Sequence, residues 1–412
     1  MSSSRVFYGW WVTVAFSVMV FVSAGVRHAV GPFLKPMVAD LGVDRGAFSL
    51  VIALGLFLYG AFMPWVGGLT DRFGARRVTA AGSVLLAASL ALTAYCQTLW
   101  ELALVYGLLA ALGLACTGPV VANAVVTRWF VRRRGTAVSL LGSAAMTGMS
   151  LLVPVVAWLI AVFGWRTAYL VLGAAVLVGM LPLCLFVVRD SPEEMGMRPD
   201  GDAAVAGAPA PVVTRTPAST ALRTVAFWQL GGSFFTCGFS MALVAAHGVP
   251  MLTDHGYTPM FASWVIGVLG ASSIVFTLTL GTLSDRFGAR PVLAGIYAGR
   301  AFIFAGLFLI RDNPAAMIAV AIAGGITLAG SMSMTSVLTA DIYGRYSVGS
   351  ILGVIFLVHQ TGAALGSWLA GALFEATGGY GAMFAIASVL LTAAGLVDRK
   401  STRLNSSHLF IS

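Results

Sequence analysis

Five side chains that can hold or trade charge sit inside long apolar runs. They are Arg27, His28 and Lys35 in GVRHAVGPFLKPM (25–37), His247 in AAHGVPM, and His359, followed directly by Gln360, in FLVHQTG. Arg300 is a further fixed charge deep in such a run. No Asp or Glu lies mid-run; Glu101 and Glu375 stand at run ends. Cations gathered without carboxylates make a place for an anion. A guanidinium grips a carboxylate through two parallel charge-assisted hydrogen bonds, a lysine supplies a point charge, and an imidazole can carry a proton near neutral pH. His28 and Lys35 are seven residues apart, on one face of a continuous helix, with Arg27 adjacent. Asn123, in another run, can donate to a substrate oxygen.

Each of these has a plainer alternative. Arg27 can bond the carbonyls of a broken helix, Lys35 can snorkel to the surface, and Asn123 can tie two helices together. Arg300 reads as structural. The small-residue run GITLAGSMSMTS (325–336) reads as close packing and flexibility. Cys96, Cys116, Cys184 and Cys237 are scattered without metal or redox spacing and read as apolar core thiols, so neither a metal nor a cofactor is expected.

The elements that must position these residues are membrane helices. Hydrophobic residues make up 59% of the 412 and charged residues 9%, with a mean hydropathy of +0.93. Soluble domains carry about 25% charged residues, and too few polar residues remain here to coat a large soluble core. Twelve spans are expected: Tyr8–Val38, Ala47–Leu69, Val78–Cys96, Leu99–Val126, Ala137–Phe163, Trp165–Val188, Phe227–Leu252, Ala262–Leu283, Val292–Ile310, Ala315–Leu338, Ile351–Phe374 and Gly381–Val397. The first is too long for a cleaved signal peptide and no small-residue cleavage site follows it.

The net charge of +9 could suggest nucleic acid, but the basic residues lie in short loops between spans, so no nucleic-acid partner is expected. With the N-terminus inside, fifteen arginines fall on the cytoplasmic side, from Arg5 to Arg345. Only Lys35, Arg45, Arg166 and Arg311 fall outside. This positive-inside bias places both termini in the cytoplasm.

The chain also repeats itself. GGLTDRFGARR (67–77) recurs as GTLSDRFGARP (281–291), and KPMVADLG (35–42) as VPMLTDHG (249–256), at one offset of 214 that also aligns Gly135 with Gly349. The expected organisation is a bundle over 1–190, a cytoplasmic linker over 191–222 and a second bundle over 223–397. The linker is rich in Pro, Ala, Gly and charge, and partial disorder is expected of it. Such repeats place a substrate site near the midplane, between the halves. The stretch DRKSTRLNSSH (398–408) resembles the translation of a sequencing-adapter oligonucleotide. Residues 398–412 are therefore read as a non-native tail, with a basic cytoplasmic tail as the alternative.

The repeated stretch resembles the signature of the major facilitator superfamily, Gly-x-Leu-Ala-Asp-Arg-x-Gly-Arg-Lys. FYGWWV, GPFLKPMVADLG, WFVRRRGTAVSLLGSAAMTG and SPEEMGMRPDG are similar to bacterial members of its monocarboxylate and oxalate–formate branch. The resemblance implies an all-α integral membrane protein, twelve helices in two pseudo-symmetric six-helix bundles, with the first helix lining the cavity. It further implies that Asp71, Arg72 and Arg76, with Asp285, Arg286 and Arg290 in the other half, are gating latches. Asp71 would face the N-terminal end of the eleventh helix, where the dipole favours an anion. Mere anchoring at the headgroups is the alternative.

One departure stands out. Carriers of that branch hold an arginine in the eighth helix, yet SSIVFTLTLG (272–281) has Thr277 near that place and no cation.

The function expected is secondary transport of a small organic anion, a carboxylate, by alternating access across a bacterial inner membrane. It would run by proton symport or anion exchange, in a monomer. A drug exporter of the same superfamily is one rival, though no membrane carboxylate supports it. The other is a membrane receptor or sensor without transport. No nucleotide loop or nucleophile–base motif suggests an enzyme.

Overall fold

Hydrocarbon offers backbone groups no hydrogen-bond partner, so a chain this apolar must satisfy them within helices. The computed structural model describes residues 7–43, 45–201, 215–254, 256–309, 313–328, 330–377, 379 and 381–404, and contains helix without strand among them. The helices are α1 (Tyr8–His28), α2 (Val30–Leu41), α3 (Arg45–Phe73), α4 (Ala75–Thr93), α5 (Leu99–Leu102), α6 (Ala111–Cys116), α7 (Pro119–Trp129) and α8 (Arg134–Pro182). The short α9 (Ala218–Ala221) precedes α10 (Val225–Asp254), α11 (Pro259–Phe287), α12 (Ala289–Leu309), α13 (Pro314–Leu328), α14 (Gly330–Tyr343), α15 (Val348–Thr377) and α16 (Gly381–Leu404).

Eight helical segments among the described residues are long and apolar enough to cross a membrane. One of them, Arg134–Val187, runs 54 residues and turns at Gly164 (φ 80°), so it covers both expected spans on either side of that glycine. The count of twelve remains a reading of the sequence. α16 continues through Asp398 to Leu404, and 405–412 lie outside the described residues.

Three expected boundaries are corrected. The first span is interrupted at Ala29 (φ −75°, ψ 4°), which separates α1 from α2. The single helix that would have put His28 and Lys35 on one face is therefore broken between them. The fourth span passes through a π-helical stretch, Ala103–Ala110, and breaks at Thr117–Gly118 before Pro119 starts α7. The repeated signature is not a loop: α3 and α11 run through Asp71 and Asp285 to Phe73 and Phe287, and one glycine makes each connection. Gly74 (φ 85°) and Gly288 (φ 86°) hold the left-handed backbone that ends one helix and starts the next.

The repeat is visible in the helix ends. α11 begins and ends 214 residues after α3 (259 − 45; 287 − 73), α15 begins 214 after α8 (348 − 134), and α14 ends 214 after α7 (343 − 129). α1 and α4 pack on α8, while α10 packs along α15 and α12 along α16. Between these two sets, α3 lies against α15 and α8 against α11. Glycines let those crossings close. A Cβ on Gly67 would meet the Gly349 carbonyl, and one on Gly281 would lie 2.6 Å from the Gly135 carbonyl. Each pair is the other's image under the repeat.

Candidate functional site

Arg27, in the last turn of α1, lines a cavity of about 220 Å³ together with His28, Tyr59 and Tyr106. Its guanidinium lies 5.0 Å from the Tyr59 ring centroid, and its Nη2 lies 3.0 Å from His28 Nε2. Among the described residues no carboxylate touches it, so donors of the guanidinium fork remain to face the cavity. A smaller hollow beside it is also lined by Arg27, Tyr59, Gly118 and Pro119. The break at Thr117–Gly118 thus brings the N-terminal end of α7 next to the arginine. Ser23 fixes α1 to that break by donating to the Thr117 hydroxyl at 2.8 Å and its carbonyl at 3.2 Å.

Tyr59 carries the contact across to the other set of helices. Its ring meets Phe356 edge-on at 6.1 Å, and Phe356 stacks at 5.5 Å on His359, which also lies 4.4 Å from Phe234. His359 Nδ1 is 3.1 Å from Gln360 Oε1, and the Gln360 stem packs against Gly60 of α3. One continuous set of contacts therefore runs from Arg27 to His359. The other expected residues lie apart. Lys35 is exposed on α2, away from the cavity lining. Asn123 is buried in α7 with no hydrogen-bond partner for Oδ1 among the described residues. The side chain of His247 lies outside the described residues. Thr277 is fully buried and bonds the Ser273 carbonyl within its own helix.

The repeated signature builds a closed polar face. Asp71 accepts from the Ser350 amide at 2.7 Å, at the N-terminus of α15, and from Arg128 Nη2 at 3.0 Å. Asp285 accepts from the Gly135 and Thr136 amides at 2.7 and 2.9 Å, at the N-terminus of α8. A carboxylate on free helix-end amides is well placed against the dipole. Arg76 bonds within its own half, its amide donating to Asp190 and its guanidinium to the Leu185 carbonyl. Arg72 is exposed and lies against Phe73, Arg286 is exposed, and Arg290 stands in the field of Asp341.

Several partners here were missed in the sequence. Arg128 holds Asp71, Arg134 pairs with Asp341, and Arg345 reaches Glu193 at 2.6 Å and the Arg128 carbonyl at 3.0 Å. The first part of the presumed loose linker is ordered: Asp200 accepts from the Val131 and Arg132 amides at 3.0 and 2.9 Å, just before α8. Burial pushes Glu193 upward, but hydrogen bonds from its own backbone and Tyr346, with the charge of Arg345, outweigh it and hold the carboxyl below its usual range. Only the aspartate and the helix end that it meets were readable from the repeat.

A family model described as Major Facilitator Superfamily matches residues 16–248 and again 230–405. The chain is 26% identical over 419 residues to the uncharacterized MFS-type transporter YcxA of Bacillus subtilis, covering 94% of each. It is 26% identical over 393 residues to monocarboxylate transporter 13 of Bos taurus, covering 94% of this chain and 87% of that protein. Monocarboxylate transporter 11 of Mus musculus is 28% identical over 407 residues, covering 95% and 86%. Among solved structures, the MFS proton:xylose symporter XylE superposes with a TM-score of 0.77 over 95% of each chain, at 14% identity, a likeness of fold.

Proposed function

The chain belongs to the Major Facilitator Superfamily, a family of multi-pass membrane transporters rather than enzymes, and on that premise we propose that it moves a small monocarboxylate across a bacterial inner membrane by alternating access. The observation that carries this reading is Arg27: a fixed cation on a membrane helix, at a cavity, with donors to spare. A charge within a membrane helix is costly, about 2.5–3.5 kcal/mol at the centre of a lone one on insertion scales, so a cation kept in the last turn of α1 beside a cavity is a candidate functional residue. The cavity size favours a small ligand, since about 220 Å³ is below the roughly 300–1,000 Å³ of drug-sized sites.

In this account Arg27 holds the carboxylate, His28 and Tyr59 set its orientation, and His359 with Gln360 senses the occupied site from the opposite half. His247 and Asn123 are further candidates on lining helices, and Lys35 serves the outer mouth. The halves, 1–190 and 223–397, rock about the site with 191–222 as their tether. With the basic face inward, both termini are cytoplasmic, and the polar face of Asp71 and Asp285 is the cytoplasmic gate.

Reconstituted vesicles test the reading. Purified protein is first screened by thermal shift against acetate, lactate, pyruvate and oxalate, because a ligand that prefers the folded form raises the melting temperature. Uptake of a stabilising acid is then measured with and without a pH gradient and with internal anion. Acceleration by the gradient marks proton symport, and acceleration by internal anion marks exchange. No protein-dependent flux of any of the four acids would reject the proposal.

A further inference from the structure

Residues 190–200 leave the first bundle and return to it. At the near end Asp190 accepts from the Arg76 amide at 2.8 Å, next to the bond that Trp129 Nε1 donates to the Arg189 carbonyl at 3.0 Å. At the far end Asp200 accepts from the Val131 and Arg132 amides at 3.0 and 2.9 Å. Among the described residues Asp200 alone of the non-glycines has a positive φ, 60°, a backbone that persists only where contacts hold it. Between the two pins Pro192 opens one 3₁₀ turn. The Gly196 amide closes it on the Glu193 carbonyl at 3.0 Å, and the Met197 amide on the Pro192 carbonyl at 2.9 Å. The proline ring fixes φ, so the bow between the pins is stiff.

From this bow Glu193 reaches the other bundle. It accepts from Arg345 Nη2 at 2.6 Å, and Arg345 stands in the connection between α14 and α15. Arg345 Nη1 donates to the Arg128 carbonyl at 3.0 Å, near the end of α7. The Tyr346 ring lies 5.0 Å from the Arg345 guanidinium and 5.5 Å from that of Arg128. The ion pair is partly buried, its side chains 15% and 30% exposed, so salt screens it less than a surface pair. Crossing between the bundles does not require this contact. The linker bonds to the second bundle again at Thr216, whose amide donates to Ser347 Oγ at 2.7 Å. Glu193 thus ties the bundles together from a stretch whose backbone is still pinned to the first. The tie is one-sided, because Arg345 corresponds to Val131 under the offset of 214.

We propose that residues 190–200 are a clasp: pinned to the first bundle at Asp190 and Asp200, they hook the second at Arg345, and the hook must release before the cytoplasmic face parts. The claim rests on the alternating-access reading and on no particular substrate. An inward-facing state separates the α14–α15 connection from the ends of α7 and α8. Glu193, held by both pins, cannot follow Arg345. The linker therefore helps to set the balance between the two access states, in addition to the latches at Asp71 and Asp285.

The test uses the full chain in lipid nanodiscs, with spin labels on Phe73→Cys and Phe287→Cys. These are exposed positions at the ends of α3 and α11, and the four native cysteines are buried. Pulsed electron paramagnetic resonance reads the distance between the labels. Glu193→Gln and Arg345→Gln are each expected to raise the long-distance population about two- to fivefold, the range that a partly exposed ion pair is worth. Both act through one contact, so the double variant should be no more open than Arg345→Gln alone. Asp200→Asn loosens a pin and should shift the distribution the same way by less. A parent-like distribution in both single variants, or shifts that multiply in the double variant, overturns the clasp. If Asp71→Asn parts the labels while the clasp variants do not, the clasp falls and alternating access stands. If none of the variants parts them, the gate reading falls with it. Should Arg345→Gln not fold, the shift in Glu193→Gln decides alone.

Discussion

Arg27 and Arg300 are both arginines within membrane helices, and their surroundings differ in kind. Arg300 is closed in by Cys237, Ser240, Thr327 and Ser331, each reached by a guanidinium nitrogen. Arg27 touches one imidazole and the face of one tyrosine, and opens on a cavity. The difference is where the hydrogen bonds go. An arginine whose donors are consumed by its own fold holds helices together, while one whose donors are left over waits for something the fold does not contain.

The comparison breaks first at Arg300. Arg300→Gln strands buried acceptors on α10 and α14, and losing one partner of a buried charged cluster costs about 3–5 kcal/mol. The expected result is a large fall in melting temperature and in folded yield. A variant as stable as the parent would show that Arg300 does not tie these helices.

The latches come next, with an intermediate effect. Asp71→Asn leaves Arg128 buried without its anion, whereas Asp285 is held by backbone amides and the Thr136 hydroxyl, with no arginine hydrogen-bonded to it among the described residues. A charge left unpaired costs more than a weakened helix-end bond, which is about 0.3–2 kcal/mol. Asp71→Asn should therefore slow transport and open the gate more than Asp285→Asn does, as read by accessibility of cysteines placed on that face. Equal effects of the two variants would remove the distinction between engaged and spare arginines at this face.

The smallest effect is expected at Glu193. Its carboxyl is held below the usual range by hydrogen bonds and Arg345 against the opposing effect of burial. A depressed folded value means that its contribution is complete above the ordinary glutamate pKa near 4.3 and fades as pH falls through the folded one. Melting temperature should thus decline slightly more on acidification in the parent than in Glu193→Gln. Parallel pH profiles would reject the contribution.

The repeat made much of this architecture legible. A single offset of 214 joined Asp71 to Asp285 and Gly135 to Gly349, and those are the residues at the helix crossings. What the offset could not show is asymmetric. Arg128 corresponds to Ile342 and Arg134 to Val348, so the arginines that complete the polar face have no copy to announce them. Their partners lie 57 and 207 residues away, beyond any local pattern. The helix break before Lys35 was missed for a different reason. Gly31–Pro32, shortly after Ala29 and in the first turn of α2, marks that interruption, while Pro36 is carried inside α2.

The account rests most heavily on Arg27 as the anion-binding group. Its most direct test is uptake of the stabilising carboxylate by vesicles containing parent, Arg27→Lys or Arg27→Gln, with folded yield and monodispersity measured on the same preparations. Since Arg27 holds no other helix through a hydrogen bond among the described residues, only a cation–π contact with Tyr59, all three proteins should fold. Uptake should be weakened in Arg27→Lys, where a point charge replaces the fork, and fall to background in Arg27→Gln. Loss of folded protein in both variants would make Arg27 a structural arginine like Arg300. A folded Arg27→Gln that moves the anion at the parent rate would contradict the account outright.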